Sequence, residues 1–587
     1  MKQQFFVFLV VLLSVLSYAN TFGNDFVWDD KRFIHDNIGI RSIENVPAFF
    51  LGTVDGLYRP LRTTLYAITY SFWGENVFGY HLNSLLWHSL ISVLVFLLVG
   101  KLTNRSYVPL VAALIFAVHP VHTERVTNMT GGFDLLGIFF MLLSFYLYIL
   151  FSCNKKRNCL IASVAAFVLA LFSSEEAFIL PLLILLYEVV FKNLRFADGK
   201  RFASAAVFLV ISVVFFLFRL FVIGVGARAA EHVTGSLFTT VLTMPKVFLY
   251  YLYLVFIPYP LTLYRQIEPA TTIFNPLVIL PPLLFLAIAI VAIKCHKKNK
   301  LLAFAAGWFF ITLLPFSNIL PLQAIMADRY LYLPSIAACI ALAFFIFKIK
   351  NKLLSFAVAV IVIFSFLLLA VDRNADWSDD VTLWEAAAKT SKDSAVYSNL
   401  GFAYEQRNRL IDAEAALKKA VALDHLNEKA HYNLGILYMR QKNYMPAADE
   451  FLLAIKISPP YTMAYDSLGL TYYYASFQMP EQESILLRLA EASFEKAIEV
   501  EPAYYRAYSN LGIIKAQKGN FSAAVELFRH SILLNSWNHE AYYNLGIIYE
   551  FFNETGQAKE NFLKAAELQP ENGLYREKLA IISNVEE

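Results

Sequence analysis

The chain has 587 residues, of which 58% are hydrophobic and 16% are charged, and its net charge is +3. Soluble domains are about 45–50% apolar and about 25% charged, so this composition excludes an entirely soluble protein. The small net charge, without a basic stripe, gives no support to nucleic acid as a partner. Four cysteines without a C-x-x-C pair argue against a cysteine zinc site.

The apolar residues are concentrated on the N-terminal side of the chain. Residues 1–371 contain one apolar segment after another, whereas 372–587 have the composition of a soluble domain. We therefore predict an all-α protein with a polytopic helical membrane domain over 1–371. A linker over 372–393 and a soluble helical domain over 394–587 follow it.

The predicted membrane domain has about 11 spans, because a transmembrane helix needs about 20 mostly apolar residues. We interpret the first span as retained rather than cleaved as a signal peptide, since more spans follow and no A-x-A cleavage site is present. In chain order the predicted spans cover 4–20, 79–100, 107–120, 133–151, 159–174, 176–191, 202–224, 275–294, 301–318, 331–347 and 353–371.

Lys/Arg clusters indicate which loops face the cytoplasm, because cytoplasmic loops carry an excess of these residues. The clusters are Lys101 with Arg105, Lys155–Arg157, Lys192–Arg201, Lys294–Lys300 and Lys348–Lys352. All five lie inside only if the apolar stretch 238–257 does not simply cross, so we predict that it is re-entrant or interfacial. The N-terminus is then inside, and the first long loop (21–78) and the C-terminal domain are outside.

The first outward loop carries two adjacent carboxylates, Asp29 and Asp30, just beyond a span. A pair of carboxylates can share a proton, bind a divalent cation or hold a general base beside an apolar wall. A solvated turn is the structural alternative.

A second group of ionisable residues, His119, His122 and Glu124, follows a span that is too short to cross alone. Ionisable residues at membrane depth are candidates for function. With Asp29 and Asp30, His122 could complete a metal site for Mg²⁺ or Mn²⁺. The alternative is that the histidines bond to the backbone or cap a helix.

Several cations are predicted at the outward edge of the membrane. They are Arg59, Arg62, Arg125 and Arg329, with Lys246 inside the interrupted apolar stretch. An isoprenoid phosphate lies at headgroup depth, and guanidinium groups suit bidentate contact with phosphate. Each side chain could instead reach the phosphates of ordinary lipids.

The C-terminal domain contains a repeat of 34 residues. Leu-Gly pairs occur at 400, 434, 468, 511 and 545, followed in each repeat by small and aromatic positions. This spacing is typical of tetratricopeptide repeats, which stack helix pairs into a superhelix. We predict about five repeats forming an α-solenoid, with an insertion of about nine residues around Ala475–Glu483 in the third.

Seven short motifs occur in order before the repeats: FVWDD at 26–30, YRPL at 58–61, HPVHTE at 119–124, GFDLL at 132–136, SEE at 174–176, ADRYLYLP at 327–334 and RNADW at 373–377. This order resembles the transmembrane and tetratricopeptide-repeat O-mannosyltransferases and their prokaryotic relatives, within the GT-C glycosyltransferase superfamily. The resemblance covers nearly the whole chain. At Gly132 and Ser174 the sequence departs from residues that relatives often carry.

The resemblance implies an enzyme that moves mannose or another hexose from a polyprenyl-phosphate donor to a hydroxyl of an exported protein or glycan, with inversion. Asp29 or Asp30 would be the general base, and Glu124 would support the acceptor or a metal. The implied phosphate-binding residues are Arg59, Arg329, Lys246 and Arg125, and the implied supporting residues are His119, His122, Asp134 and Glu175. The repeats would bind the acceptor or a partner protein.

Three other functions fit the sequence less well. An oligosaccharide ligase usually has its long outward loop late among the spans, whereas here the first loop is long. A non-catalytic membrane-anchored scaffold needs only one or two spans. A transporter should show repeated halves and charges at mid-depth. The glycosyltransferase is preferred, with the scaffold and the ligase as alternatives.

We expect a multi-pass membrane protein in a bacterial inner membrane with the repeats in the periplasm, or in the endoplasmic reticulum with the repeats in the lumen. Glycosylation sequons at Asn128, Asn520 and Asn553 would matter only in the second case.

Overall fold

A computed structural model of the chain describes residues 2–54, 56–105, 107–193, 199–224, 234–322 and 324–584. The chain divides into two compact units, Met1–Ser391 and Lys392–Glu587. Within the described residues both units are built from helices, without a β-strand. The predicted all-α fold class is therefore confirmed. Part of the predicted cytoplasmic cluster Lys192–Arg201, residues 194–198, lies outside the described residues.

The first unit contains sixteen α-helices among its described residues, with short 3₁₀ and π turns between them. They are α1 Lys2–Tyr18, α2 Val46–Phe49, α3 Pro60–Trp73, α4 Val77–Leu102, α5 Val108–Ala117, α6 Thr123–Thr127, α7 Met129–Asn154, α8 Arg157–Leu171, α9 Leu180–Lys192, α10 Gly199–Phe221, α11 Leu237–Leu254, α12 Pro276–Cys295, α13 Lys300–Leu313, α14 Ser335–Ile346, α15 Lys352–Ala375 and α16 Asp380–Thr390.

Seven of these helices are long and apolar enough to cross a membrane, judged by length and composition within the described residues. They are α1, α4, α7, α10, α11, α12 and α15. The predicted spans at 107–120, 159–174, 176–191, 301–318 and 331–347 correspond to the shorter helices α5, α8, α9, α13 and α14. The number of crossings and the orientation of the chain therefore stay predictions.

Helix α11 differs from the interrupted stretch predicted at 238–257. It runs continuously from Leu237 to Leu254 with Pro245 inside it. A proline removes one backbone hydrogen bond, and helices in an apolar environment tolerate this loss when neighbouring groups compensate. By length and composition α11 is a candidate span, so composition gives no reason for it to be re-entrant.

Helices α4 and α7 form the interior of the first unit. In each, 61% of the most apolar window is buried by protein, compared with 11% for α12. A helix that is apolar on all sides must be covered by protein or by lipid. We therefore assign α4 and α7 to the protein core and the surface of α12 to lipid contact.

The segment 372–393, predicted as a linker, is mostly helical. Helix α15 continues to Ala375, and α16 covers Asp380–Thr390. Both belong to the first unit, whose boundary with the second lies at Ser391.

The second unit contains five helical hairpins and one further helix among its described residues. The hairpins are α17 Ser394–Gln406 with α18 Leu410–Leu423, α19 Glu428–Arg440 with α20 Tyr444–Ile457, α21 Thr462–Gln478 with α22 Glu483–Val500, α23 Tyr505–Gln517 with α24 Phe521–Leu534, and α25 His539–Phe551 with α26 Thr555–Leu568; α27 is Gly573–Asn584. The five predicted repeats are therefore present.

The glycine of each Leu-Gly pair marks the close contact within its hairpin. A Cβ atom at Gly435 would lie 2.7 Å from the ring of Phe451, and one at Gly469 would lie 2.5 Å from the ring of Phe494. Such distances leave no room for a side chain, so the glycine allows the buried ring to sit against the partner helix. The predicted insertion in the third repeat lengthens both helices of its hairpin, α21 and α22, to 17 and 18 residues.

Candidate active site

The two adjacent aspartates of the first loop lie in very different surroundings. Asp30 is fully buried. Its carboxylate accepts the backbone N–H groups of Met129 at 3.3 Å and Thr130 at 2.7 Å, and a longer bond from Val27 at 3.4 Å. Met129 and Thr130 are the first residues of α7, whose N-terminal N–H groups have no partner within the helix. Asp30 therefore caps α7 from a distant part of the chain.

Asp29 is only partly buried and faces other charged groups. It lies within electrostatic range of Arg329, Arg62 and Glu124. Among the described residues, no group donates a hydrogen bond to its carboxylate. Burial raises the pKa of Asp29, and the neighbouring arginines oppose this rise without cancelling it. Asp29 is thus the carboxylate of the pair that is free to accept a proton from a ligand.

Glu124 and Arg329 form a buried ion pair beside Asp29. The backbone N–H of Arg329 donates to Glu124 Oε2 at 2.9 Å, and its guanidinium contacts Glu124 Oε1. The guanidinium also lies over the ring of Trp28, at 5.3 Å from the centroid. Glu124 therefore fixes the position of a cation next to the turn Trp28–Lys31, which carries Asp29 and Asp30 and which we call the acidic turn.

Asp134 is the centre of a larger set of ion pairs. Its Oδ1 accepts Arg59 Nη1 at 2.8 Å and Arg62 Nη1 at 3.1 Å, and its Oδ2 lies 3.6 Å from Arg125 Nη1. Arg62 is 2% exposed, and its Nε has no hydrogen-bond partner within the described residues. A single carboxylate thus gathers three guanidinium groups on the first turns of α7.

Two glutamates extend this set towards α8, α9 and α10. Glu175 accepts Arg59 Nε at 2.7 Å and Arg219 Nη2 at 3.2 Å, and Glu176 pairs with Arg125. Burial opposes ionisation of Glu175, but Arg59 and Arg219 outweigh it and lower its pKa. We call the seven side chains the arginine–carboxylate network: Arg59, Arg62, Arg125, Arg219, Asp134, Glu175 and Glu176.

Arg219 is the member that sequence reasoning missed. It is a lone cation near the end of the apolar helix α10. Charged residues inside apolar spans are costly and mark functional sites, so the position of Arg219 in the sequence is itself a signal of function. Arg62 is among the cations predicted at the outward edge and Glu176 is part of the SEE motif, but neither is among the predicted site residues.

The two histidines lie in the protein core rather than in a metal site. His119 contacts the carbonyl of Val255 at 3.0 Å through Nε2. His122 Nε2 lies 2.8 Å from Ser335 Oγ, which donates its own proton to the carbonyl of Tyr332. His122 Nε2 is therefore the donor, and burial lowers its pKa well below the ordinary value.

The three residues named for a metal do not converge. Asp30 accepts backbone N–H groups, and His122 Nε2 donates to Ser335, while His122 Nδ1 has no hydrogen-bond partner within the described residues. No group of three or more His, Cys, Asp or Glu side chains within the described ranges is placed to hold a metal ion.

Lys246 stands apart from the network. It lies on α11 directly after Pro245 and is partly buried. Within the described residues it has no acidic partner. Arg59, Arg125 and Arg329 are thus brought into ion pairs, whereas Lys246 stays an unpaired cation in this part of the chain.

The two positions that depart from the family pattern are tightly packed. A Cβ atom at Gly132 would overlap Ser84 Oγ on α4. Ser174 is 3% exposed and caps the turn at Glu175–Ile179 by accepting the N–H of Glu176 at 3.3 Å. Neither position has room for a long basic side chain in this packing.

The repeats contain a separate cavity of about 570 Å³ among α21, α23, α25 and α27. Aromatic rings and side-chain amides line it, among them Tyr473, Tyr505, Asn510, Tyr543 and Asn544. Rings of this kind provide apolar contact area, and amides donate and accept hydrogen bonds. The cavity therefore suits a polypeptide segment.

Each of the two units matches models of known protein families. Residues 60–218 match a family model described as dolichyl-phosphate-mannose-protein mannosyltransferase. Residues 385–462, 487–532 and 539–572 match models of tetratricopeptide repeats. The first match contains Arg59's neighbours in α3 and the carboxylates of the network.

Curated relatives match along most of the chain. Protein O-mannosyl-transferase F38B6.6 of Caenorhabditis elegans is 26% identical over 71% of this chain and 62% of its own length. Protein O-mannosyl-transferase TMTC3 of Mus musculus is 25% identical over 98% of this chain and 65% of its own length. The chain thus spans a little under two thirds of the length of these relatives.

Among solved structures, a thermophilic tetratricopeptide-repeat protein of Thermus thermophilus is 20% identical, with a TM-score of 0.29, over 32% of this chain and 98% of its own. The motifs before the repeats, the mannosyltransferase model and the relatives all agree. The chain is therefore similar to the protein O-mannosyl-transferases in its first unit and to tetratricopeptide-repeat proteins in its second.

Proposed function

We propose that the protein is a membrane glycosyltransferase that moves mannose, or another hexose, from a polyprenyl-phosphate donor to a hydroxyl group of an exported protein or glycan. The mannosyltransferase model over residues 60–218 and the names of the relatives support the reaction class. The polyprenyl donor and the inversion of configuration are the parts that the proposal adds.

One observation carries the proposal: Asp29 accepts no hydrogen bond among the described residues, while the carboxylates around it are paired with arginines. A general base needs a free lone pair and a pKa raised towards the working pH. Asp29 has both features. In the proposal Asp30 has a structural role, because its carboxylate is occupied by the N-terminus of α7.

The reaction is a single displacement. The acceptor oxygen attacks the anomeric carbon of the sugar, and Asp29 takes the proton from the attacking hydroxyl. The bond between the anomeric carbon and the phosphate oxygen breaks, and its electron pair leaves with the polyprenyl phosphate. Attack from the face opposite the leaving group inverts the anomeric configuration.

The arginines stabilise the charge that develops on the leaving phosphate. The arginine–carboxylate network holds four guanidinium groups against three carboxylates, which leaves an excess of positive charge. Preorganised cations in a site with little water stabilise developing charge strongly. Arg329, fixed by Glu124, and the unpaired Lys246 add cations to this set in the proposal.

The proposed displacement does not require a divalent cation. Asp29 would be its ligand in the proposed site, but the Asp30 carboxylate is occupied by the N-terminus of α7, and within the described residues no group of three His, Cys, Asp or Glu side chains is placed to hold a metal ion. Removing divalent cations with a chelator during the transfer assay tests this directly, because a metal-dependent enzyme would lose activity and regain it on adding Mg²⁺ or Mn²⁺.

The repeats would hold the acceptor protein close to the site. Tethering a binding module to a catalytic unit raises the effective concentration of the bound partner. The proposal places the repeats on the non-cytoplasmic face, in a periplasm or in the lumen of the endoplasmic reticulum, where an exported acceptor meets the lipid-linked donor.

The test is transfer of label from radiolabelled polyprenyl-phosphate mannose or glucose to exported proteins, using membranes that contain the full chain. We expect Asp29→Asn to lower transfer by about 10²–10⁴-fold, the usual contribution of a general base. The control is Asp36→Asn, an exposed carboxylate of the same loop, which should transfer normally.

Two results would contradict the proposal. Full activity of Asp29→Asn would remove Asp29 from the base role. No label in protein from either donor, although the chain inserts correctly, would instead favour the scaffold or the ligase.

A further inference from the structure

The segment that follows the last long helix of the first unit returns to the acidic turn. Asn374, at the end of α15, accepts Thr127 Oγ1 at 2.9 Å and donates to the carbonyl of Ser17 at 2.7 Å. The carbonyl of Ser378 accepts the N–H of Asp25 at 2.9 Å. This segment therefore packs on the start of the loop that carries the aspartates.

Asp380, the first residue of α16, contacts both sides of the aspartate pair. Its Oδ1 accepts the backbone N–H of Trp28 at 2.9 Å, and its Oδ2 forms an ion pair with Lys31. Trp28 and Lys31 are the residues directly before Asp29 and directly after Asp30. One carboxylate thus holds both ends of the turn.

The backbone held by Asp380 is in an unfavourable conformation. Trp28 has φ of 50°, in the left-handed region that non-glycine residues rarely adopt. Such residues cost free energy and persist only where the surroundings enforce them. Besides Asp380, the ring of Trp384 on α16 packs edge-on against Trp28 at 6.3 Å, and Arg329 covers the ring.

A simpler role for Asp380 would be to stabilise the start of α16, because carboxylates are favourable in the first turn of a helix. That role belongs to its neighbour. Asp379 is the N-cap residue, and its Oδ1 accepts the N–H of Thr382 at 2.9 Å. The two adjacent acids therefore separate capping of α16 from contact with the acidic turn.

We propose that Asp380 is a positioning residue that holds the Trp28–Lys31 turn so that Asp29 faces the donor and acceptor. This inference rests on the proposed function, in which Asp29 is the general base. It gives Asp380, on the helix that directly precedes the repeats in the chain, a role in positioning Asp29, whereas Asp379 only caps that helix.

The first experiment compares sugar transfer by three variants of the full chain. Asp380→Ala removes both contacts, and we expect kcat to fall by about 10- to 100-fold, because small displacements of a reacting group are costly. Asp380→Asn keeps an oxygen acceptor for Trp28 and loses the pair with Lys31, so transfer should return to within about fivefold of wild type. Asp379→Ala, the control, should transfer normally.

The KM for the lipid-linked donor should change little in Asp380→Ala, because the phosphate-binding arginines keep their partners. Activity of Asp380→Ala equal to that of Asp379→Ala would overturn the proposal. So would an Asn variant as inactive as the Ala variant, since the hydrogen bond to Trp28 would then not be the cause.

A second measurement does not depend on transfer. Hydrogen–deuterium exchange of the purified chain should be faster in peptides covering 25–36 for Asp380→Ala, and unchanged for Asp379→Ala. If the wild-type chain transfers no sugar but Asp380→Ala still exchanges faster over 25–36, the proposed function is wrong and the contact between Asp380 and the turn is supported. Equal exchange in the two variants would overturn the positioning role, whatever the activity.

Discussion

The two units of the chain are stabilised by contacts of different sequence range. In the repeats, each Leu-Gly glycine meets a side chain of the partner helix in the same hairpin, as Gly435 meets Phe451. In the first unit, which holds the candidate spans and is called the membrane unit below, Arg59 pairs with Asp134 and Glu175, which lie 75 and 116 positions away. Glu124 pairs with Arg329, which lies 205 positions away. The first kind of contact is local and periodic, and the second is neither.

This difference in the sequence range of the contacts predicts how each unit responds to a substitution. A periodic array loses one hairpin contact at a time, because each repeat packs only on its neighbours. The network shares its partners, so removing one carboxylate takes an acidic partner from several buried cations at once. Substitutions in the two units should therefore differ in how much stability they cost and in how much of the chain they affect.

The largest effect is expected for Asp134→Ala in the membrane unit. The change removes the carboxylate that Arg59, Arg62 and Arg125 share, and breaking a buried ion pair typically costs about 3–5 kcal/mol. We expect loss of stable protein in mild detergent, measured by thermal unfolding. Glu44→Ala, at an exposed glutamate of the first loop, is the control. A thermally normal Asp134→Ala would show that the network contributes little to the fold.

A smaller and local effect is expected for Gly435→Ala in the repeats. The added methyl would lie 2.7 Å from the ring of Phe451, and overpacking of this kind costs about 1–3 kcal/mol. Faster hydrogen exchange should be confined to α19, α20 and the adjoining repeats. Gly556→Ala is the matched control, because nothing lies within 4 Å of a Cβ there. Faster exchange in the membrane unit would break the distinction between the units.

The smallest effect is expected on acidification, which should reduce transfer before it disturbs the network. The pKa of Asp29 is raised, so its basic form is lost at a higher pH than the ordinary value of about 3.9. The pKa of Glu175 is lowered, so its ion pairs stabilise the fold above its unfolded pKa and are lost only as pH falls through the lower folded value. A profile of kcat/KM from about pH 4 to 8, run beside thermal unfolding, checks the order. Simultaneous loss of activity and fold would contradict it.

The same contrast explains how much could be predicted from the sequence. The spacing of Leu400, Leu434 and Leu468 predicts the repeats because the contacts that define them recur every 34 residues in most of the array. The motif order identified most members of the network, including Arg59, Asp134 and Glu175. It could not predict which residues pair, because ion pairs between residues so far apart in the chain leave no local pattern.

The different roles of adjacent residues are also difficult to predict from the sequence. Nothing in the dipeptide Asp29-Asp30 indicates that one side chain caps α7 and the other stays free. The lengths of some helices also differ from the predicted runs. Helices α5 and α14, of 10 and 12 residues, are shorter than the apolar runs 107–120 and 331–347 that predict them, because an apolar run continues into neighbouring turns that are not α-helical.

The contact at Gly132 couples the evolution of two positions. A Cβ atom at Gly132 would overlap Ser84 Oγ, so the backbones of α7 and α4 approach each other closely at this point. Gly132 lies two residues before Asp134 in α7. A larger residue at 132 is compatible with this packing only together with a smaller one at 84. Relatives that carry other residues at 132 should therefore show a compensating change at 84, and the two positions should vary as a pair.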